Sequence, residues 1–200
     1  MTNRAEVTRE AIVAAAVPVF GRYGYRKTTM DLLANAAGVS RPAVYQYFPG
    51  KDAVFRAVAA SVSADLHAGA AAAGATGATT ADRLYRLLAV KLDFAAGTVA
   101  ADFRHELVQE AGTIAPDLIA ASESAYAALV AALLNDAPEL DLLGDAMTAE
   151  EAAVLLTDAM VGIARSTATA DQMRERLRRL VDLAVRGLTS RPDLQNGAPR

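Results

Sequence analysis

The 200-residue chain lacks cysteine and tryptophan and has only two histidines, His67 and His105. The absence of cysteine excludes a disulfide framework and a thiolate metal site. Neither histidine stands among the convergent ligands that a metal site needs, although a hydrogen-bonding role for His105 in a pocket stays open. No serine–histidine–acid arrangement, phosphate-binding glycine loop or nucleotide fingerprint is present. We therefore expect no metal, no cofactor and no catalytic residue, with a helical enzyme as the rival hypothesis.

Runs in which β-branched and polar residues alternate are also missing, which argues against β-strands. Alanine, the residue with the highest helix propensity, makes up about a quarter of the chain. The N-terminal stretch MTNRAEVTRE has no apolar signal core. The alanine-rich stretch Ala57–Ala81 is interrupted by Asp65, His67 and glycines, so it does not have the composition of a membrane span. The sequence predicts an all-α, soluble, cytoplasmic protein with no membrane partner.

Charge is distributed unevenly along the chain, whose formal net charge is −3. Residues 1–60 hold eight lysines and arginines against four acids, whereas the remaining residues hold twelve basic and nineteen acidic side chains. A basic N-terminal part followed by an acidic remainder favours contact with a polyanion. Charge alone is equally compatible with a solvated surface.

The spacing of apolar residues predicts helices along most of the chain. The first runs from Thr8 to about Tyr23, and Gly24 ends it with a positive φ. The fourth runs over about residues 50–68, and the small-residue stretch Gly69–Ala81 is expected to be a loose loop. Further helices are predicted at Asp82–Ala96, Asp102–Ala111, Pro116–Leu134, from Thr148 onward, and at Asp171–Leu188.

The segment Thr28–Phe48 has the spacing of a helix-turn-helix. Gly38 permits the left-handed turn, and Ser40 is placed to cap the next helix. Val44 and Phe48, four residues apart, are predicted to face the core. The other face of that helix then presents Arg41, Pro42, Tyr45 and Gln46.

A nine-residue helix at this position is about 13 Å long and fits a DNA major groove about 12 Å wide. Arginine pairs with guanine edges and glutamine with adenine edges. Tyr47 lies off the exposed face and Lys51 lies beyond it, where both are placed to contact phosphates. An interaction module that binds protein through the same helix-turn-helix is a second rival hypothesis.

The stretch Ile12–Phe55 resembles the DNA-binding domain of the tetracycline-repressor-like (TetR) family of bacterial regulators. The motifs that carry the resemblance are Phe20, Gly24-Tyr25, Thr28-Thr29, Ala36-Ala37-Gly38-Val39-Ser40, Tyr45-x-Tyr47-Phe48 and Lys51. The resemblance implies phosphate contacts by Thr29, Ser40, Tyr47 and Lys51. It implies a groove-facing role for Arg41, Pro42, Ala43, Tyr45 and Gln46. Pro42 and Ala43 stand where the family often has glycine and threonine.

The predicted architecture is a three-helix head at residues 1–55, joined by the fourth helix to an α-helical ligand-binding and dimerisation body at residues 69–188. Residues 189–200 are predicted to be a disordered tail. The resemblance implies a homodimeric repressor that binds a palindromic double-stranded DNA operator and is released by an unknown small-molecule effector. We predict a pocket around Phe94, Phe103, His105, Tyr126 and Met160.

The last two helices carry apolar stripes and small residues that permit close helix packing. A four-helix dimer interface is favoured over burial inside one subunit, because a regulator that reads a two-fold operator needs a two-fold protein. The predicted interface residues are Ala159, Gly162, Ile163, Leu177, Leu180, Val181 and Ala184.

Overall fold

The computed structural model describes residues 4–98, 101–140 and 147–189, and within them the chain forms nine α-helices. The helices are α1 Arg4–Lys27, α2 Met30–Ala37, α3 Arg41–Tyr47, α4 Lys51–Gly74, α5 Thr80–Thr98, α6 Ala101–Ile114, α7 Pro116–Asn135, α8 Ala149–Ala164 and α9 Ala170–Leu188. The predicted all-α class is confirmed. The predicted disordered tail, residues 189–200, lies outside the described residues except for Thr189.

The chain divides into two compact units that each contain two segments. Unit 1 consists of Met1–His67 and Asp93–Glu123, and unit 2 consists of Ala68–Leu92 and Ser124–Arg200. Helices α4, α5 and α7 contribute residues to both units. The segment Asp93–Glu123 falls within the predicted body, yet it groups with the helix-turn-helix.

Unit 1 has a hydrophobic core built from α1, α2, α3 and the first half of α4. Phe20, Phe48 and Phe55 are at most 5% exposed, which confirms the predicted burial of Phe48. Val44 is fully buried, so the predicted inward face of α3 is also confirmed. Leu107 of α6 packs against the same cluster, as do Ala111 and Ile114. Burial of these side chains supplies the main stabilisation of the unit.

Unit 2 has its own core, formed by α5, α7, α8 and α9 together with Ala70 of α4. Tyr126 is almost fully buried, and its hydroxyl donates a hydrogen bond of 2.7 Å to the carbonyl of Leu87, which satisfies the buried polar group. Helix α7 is long and apolar enough by length and composition to cross a membrane. Its buried residues Tyr126, Val130 and Leu134 belong to the core of unit 2, and 28% of its apolar 18-residue window is buried.

Helix α1 differs from the prediction at both ends. It begins by Arg4 rather than at Thr8, because residues 4–7 contain nothing that prevents a helix from starting earlier. Gly24 has φ 74° and ψ 174°, which confirms its predicted positive φ and separates a short turn, residues 25–27, from the main helix. Pro18 lies inside the helix.

Helix α4 is longer than predicted. It continues to Gly74 instead of ending near residue 68, so the expected loop Gly69–Ala81 shrinks to residues 75–79. Packing in the core of unit 2 and one hydrogen bond accompany the extension. Ala70 is fully buried, and a Cβ added at Gly74 would lie 3.1 Å from Leu87. The guanidinium of Arg83 donates to the carbonyl of Gly74 at 3.0 Å, which satisfies a C-terminal carbonyl of the helix.

Side-chain caps define the starts of α8 and α9. Thr148 and Glu151 form a reciprocal capping box at the predicted start of α8. A second capping box, formed by Thr169 and Gln172, begins α9 and was not predicted. Its Thr-x-x-Gln spacing is a signal that the sequence contains.

Candidate nucleic-acid interface

The turn between α1 and α2 is held by two adjacent threonines. The hydroxyl of Thr28 is buried and donates to the carbonyl of Gly24 at 2.6 Å. The hydroxyl of Thr29 accepts from the backbone N–H of Leu32 at 3.2 Å and so caps α2. The pair therefore sets where α2 begins and in which direction it leaves α1.

The turn between α2 and α3 depends on one glycine. Gly38 has φ 67°, the left-handed conformation that glycine adopts without steric cost. The N–H groups of Gly38 and Val39 donate to the last carbonyls of α2 at 3.2 and 3.1 Å. Ser40 accepts from the N–H of Ala43 at 3.3 Å, which confirms its predicted capping role. Pro42 lies in the first turn of α3, where no intrahelical donor is required.

The predicted groove-facing side chains lie together on one face of α3. Arg41, Pro42, Tyr45 and Gln46 are exposed and Ala43 is half-buried, whereas Val44 and Phe48 are buried on the opposite face. Tyr45 leaves 43% of its surface exposed although it is a large hydrophobic residue. An exposed face that combines a cation, a phenol and an amide has the chemical groups that base edges bind.

The guanidinium of Arg41 is held by two neighbours. One nitrogen, Nη1, donates to both carboxylate oxygens of Asp31, at 3.1 and 3.4 Å. The guanidinium also lies 5.7 Å from the centre of the Tyr45 ring. Hydrogen bonding to Tyr45 and then the charge of Asp31 raise the pKa of Arg41 above its ordinary value. The cation is therefore directed before any nucleic acid is bound.

The predicted phosphate contacts have intramolecular partners. The oxygens of Thr29 and Ser40 cap helices and both residues are exposed, while Tyr47 is half-buried against the core of unit 1. The ammonium of Lys51 donates to the carbonyl of Tyr25 at 3.0 Å and lies 4.1 Å from the centre of its ring. An ammonium has three donors, so this bond leaves Lys51 with capacity for a phosphate. Phosphate binding by these four residues remains a prediction.

Tyr25, in the turn that ends α1, packs against the start of α4. Its ring is stacked 6.1 Å from Phe20 and contacts Phe55 edge-on at 5.1 Å. Its hydroxyl donates a hydrogen bond to Asp52. Burial, followed by the bond and the charge of Asp52, raises the pKa of Tyr25, so the phenol stays protonated and continues to donate. No local sequence pattern indicates this carboxylate partner, because Tyr25 and Asp52 are 27 positions apart.

Helix α6 is tied to the end of α1 by two acids. The backbone N–H of Arg26 donates to Glu106 at 2.8 Å, and its guanidinium lies 3.4 Å from Glu110. Arg56 of α4 forms a two-bond ion pair with Asp117, and that bond lowers the pKa of Asp117 to about 2. All of these residues belong to unit 1. Local sequence patterns do not indicate these pairs, because the residues of each pair are at least 61 positions apart.

The predicted ligand-pocket residues are not brought into one described site. Phe94 is half-buried in unit 1, while Tyr126 and Met160 are core residues of unit 2. The side chains of Phe103 and His105 lie outside the described residues. A cavity of about 270 Å³ in unit 2 has other lining residues, among them Gly74, Arg83, Leu87, Leu133 and Asp136.

Two of the predicted dimer-interface residues require correction. Leu177 and Val181 are fully buried in the core of unit 2, so they have no surface to offer a second subunit. Gly162 is exposed, and Ala159, Ile163, Leu180 and Ala184 are half-buried. The large apolar side chains that α8 and α9 do expose were missed: Val154 at 50%, Leu155 at 59% and Leu183 at 71%.

Comparison with known proteins agrees with this geometry. A family model described as "Bacterial regulatory proteins, tetR family" matches residues 12–58, the segment that contains the helix-turn-helix. The N-terminal domain is a TetR-family domain. The family's members are transcriptional regulators and not enzymes.

Curated TetR relatives match mainly in this domain. The transcriptional regulator SrpR of Pseudomonas putida is 49% identical over 57 residues, which cover 28% of this chain and 27% of SrpR. The regulator BetI of Rhizobium meliloti is 37% identical over 98 residues, 48% of each protein. The matched segments thus span between a quarter and a half of these relatives.

Solved TetR structures extend the likeness of fold to nearly the whole chain. A TetR-family transcriptional regulator from Pectobacterium atrosepticum has a TM-score of 0.71 and 21% identity, covering 96% of this chain and all of that one. A TetR-family regulatory protein from Rhodococcus RHA1 has a TM-score of 0.64 and 23% identity, and the match covers 95% of this chain and all of that one. At these identities the likeness is one of fold.

Proposed function

We propose that the protein is a cytoplasmic, homodimeric transcriptional repressor that binds a palindromic DNA operator and is released by a small molecule. The observation that carries this proposal is the exposed polar face of α3, presented by a capped helix-turn-helix in the basic part of the chain. A TetR-family domain over residues 12–58 supports DNA as the partner.

In this proposal α3 enters the major groove. Its seven residues are about 10 Å long, which suits a groove about 12 Å wide. Arg41 and Gln46 would read base edges, with Tyr45 against them. Ser40, Thr29, Tyr47 and Lys51 would contact the phosphates that fix the position of the helix. Residues 1–60 carry an excess of four positive charges, which favours this approach to a polyanion.

A second copy of the chain is the partner that α8 and α9 fit. Leu155 and Val154 of α8 and Leu183 of α9 expose apolar surface whose burial would stabilise an interface. The two helices also differ in exposed charge. Helix α8 exposes the acids Glu150, Glu151 and Asp158, whereas α9 exposes Arg176, Arg179 and Arg186 together with the acids Asp171 and Glu175. A two-fold pairing that brings α8 of one subunit against α9 of the other would match these signs.

Release by a ligand requires that a change in the body reaches the head. Helix α6 lies in the predicted body by sequence, but it belongs to unit 1 and contacts Arg26 through Glu106. A small molecule that prefers a different position of α6 would therefore also favour a different conformation of the DNA-binding unit. The size of the response equals the difference in ligand affinity between the two conformations.

Selection of bound duplexes from a random pool by the full-length protein tests the DNA-binding proposal. We expect a palindromic sequence whose half-sites are about one helical turn apart, and an affinity that falls steeply with salt. Recovery of no preferred sequence, with binding that does not depend on salt, would refute the proposal. Screening of small molecules for release of the selected duplex then tests the effector.

A further inference from the structure

Asp31 is an acid placed next to the face that would meet DNA. It is the second residue of α2, its side chain is 60% exposed, and it contacts Arg41, the first residue of α3. A carboxylate here repels phosphates, so it opposes general DNA binding. Its position near the N-terminus of α2 gives a small local stabilisation. An exposed ion pair adds little further stability, so stability alone explains Asp31 poorly.

The ion pair with Asp31 engages one nitrogen of Arg41. Asp31 accepts from Nη1 only, and the centre of the Tyr45 ring lies 5.7 Å from the guanidinium. The hydrogen bonds to Asp31 use neither Nε nor Nη2 of Arg41. An arginine otherwise loses much side-chain freedom when it binds, so two intramolecular contacts that restrain it beforehand reduce that loss. Residues at the N-terminus of a recognition helix are those that reach base edges.

We propose that Asp31 is a positioning residue that presents the guanidinium of Arg41 to a guanine of the DNA half-site. This inference rests on the proposed DNA-binding function. By repulsion, Asp31 would weaken binding to every duplex. By fixing the orientation of Arg41, it would strengthen the preference for guanine at one position.

The test uses D31N, which keeps the shape and removes the charge, and R41K, which keeps the charge and removes the planar fork. Duplex selection with wild type and R41K first identifies the position whose guanine preference depends on Arg41. Affinities for the selected duplex and for the three duplexes substituted at that position are then measured by fluorescence anisotropy. D65N removes one exposed acid from α4 and serves as the matched charge control.

We expect wild type to prefer guanine by about 10- to 100-fold, the range for one bidentate contact. D31N should lower that preference by about 3- to 10-fold and should bind the substituted duplexes more tightly than wild type. In the R41K background D31N should leave the preference unchanged, and D65N should leave it unchanged in both backgrounds. Thermal unfolding of each variant verifies that the fold is retained.

Two results would overturn the inference while leaving DNA binding intact. One is an equal change in affinity for all four duplexes on D31N, which would make Asp31 a source of repulsion only. The other is an identical guanine preference in wild type and R41K, which would mean that Arg41 reads no base. Failure of wild type to select any sequence is a different result, since it would refute the proposed function itself and this inference with it.

Discussion

The backbone N–H of Arg26 donates a hydrogen bond to the carboxylate of Glu106, and the two residues are 80 positions apart in the chain. The N–H belongs to the short turn that follows Gly24, where the regular pattern of α1 is interrupted. An acid on α6 therefore satisfies a donor that the kinked helix leaves open. This bond joins α6 directly to the turn that precedes the helix-turn-helix.

Replacement of Glu106 tests that connection. E106A should remove the acceptor and reduce the protection of the Arg26 amide in hydrogen exchange measured by NMR, with a stability loss of about 1 kcal/mol. E106Q keeps an acceptor and should retain most of the protection. Gln109 is exposed on the same helix, so Q109A is a matched control. Unchanged exchange of Arg26 in E106A would show that the bond is not formed in solution.

Gly38 and Gly50 provide a matched pair for backbone strain. A Cβ would meet nothing within 4 Å at either position, but only Gly38 has a positive φ. G38A should lower the free energy of unfolding by about 1 kcal/mol, since a left-handed conformation is costly for alanine. G50A should change it little. Denaturant unfolding measures the free energy of unfolding of both variants. Equal losses in G38A and G50A would contradict a special need for glycine at position 38.

Lys51 tests the predicted phosphate contact. K51M keeps the aliphatic chain and removes the charge, so it should weaken binding to all duplexes and reduce the salt slope by about 1. It should also cost a little stability, because the bond to Tyr25 is lost. The affinity is measured by anisotropy from low to high salt. A salt slope identical to that of wild type would place Lys51 away from the DNA.

The Arg56–Asp117 pair predicts a pH dependence. The pair lowers the pKa of Asp117 from an ordinary value of 3.8 to about 2, so the folded state binds this proton less readily than the unfolded state. The stabilisation is complete above the unfolded pKa and is lost as the pH falls from about 4 toward 2. D117N should therefore unfold at a lower temperature than wild type at pH 7, and the difference should narrow below about pH 4.

The matched control for this pair is D65N, which removes an exposed acid of α4. The difference in Tm between D65N and wild type should not narrow in this way across the same pH range. The exposed position of the pair keeps the expected effect small, because solvent screens it. A difference in Tm between D117N and wild type that stayed constant from pH 7 to pH 3 would contradict the lowered pKa of Asp117.

Leu155 tests the proposed dimer. L155E places a charge on the exposed apolar surface of α8 and should shift the protein toward monomer in sedimentation experiments. Val108 has a similar exposure, 56% against 59%, but lies on α6. V108E is therefore the control and should leave the oligomeric state unchanged. A dimer that tolerated L155E and dissociated with V108E would put the interface elsewhere.

Much of the helix-turn-helix was predictable because its signals are local. The left-handed turn at Gly38, the Ser40 cap and the buried Val44 and Phe48 each depend on residues within about four positions, and the structure confirms all of them. The predicted end of α4 was wrong for the opposite reason. Helix α4 continues to Gly74, whose carbonyl accepts a hydrogen bond from Arg83, a residue of the next helix.

The sequence by itself determined the helical class, the caps and the exposed face of α3, because propensity, periodicity and capping act over one or two turns of chain. Only the tertiary structure decided that Leu177 is core while Leu155 is surface, since both fit an apolar helical stripe. It also decided that α6 belongs with the helix-turn-helix and that Asp31 holds Arg41. Such partners are set by how helices pack in space, and local sequence patterns do not specify which residues of another helix a side chain meets.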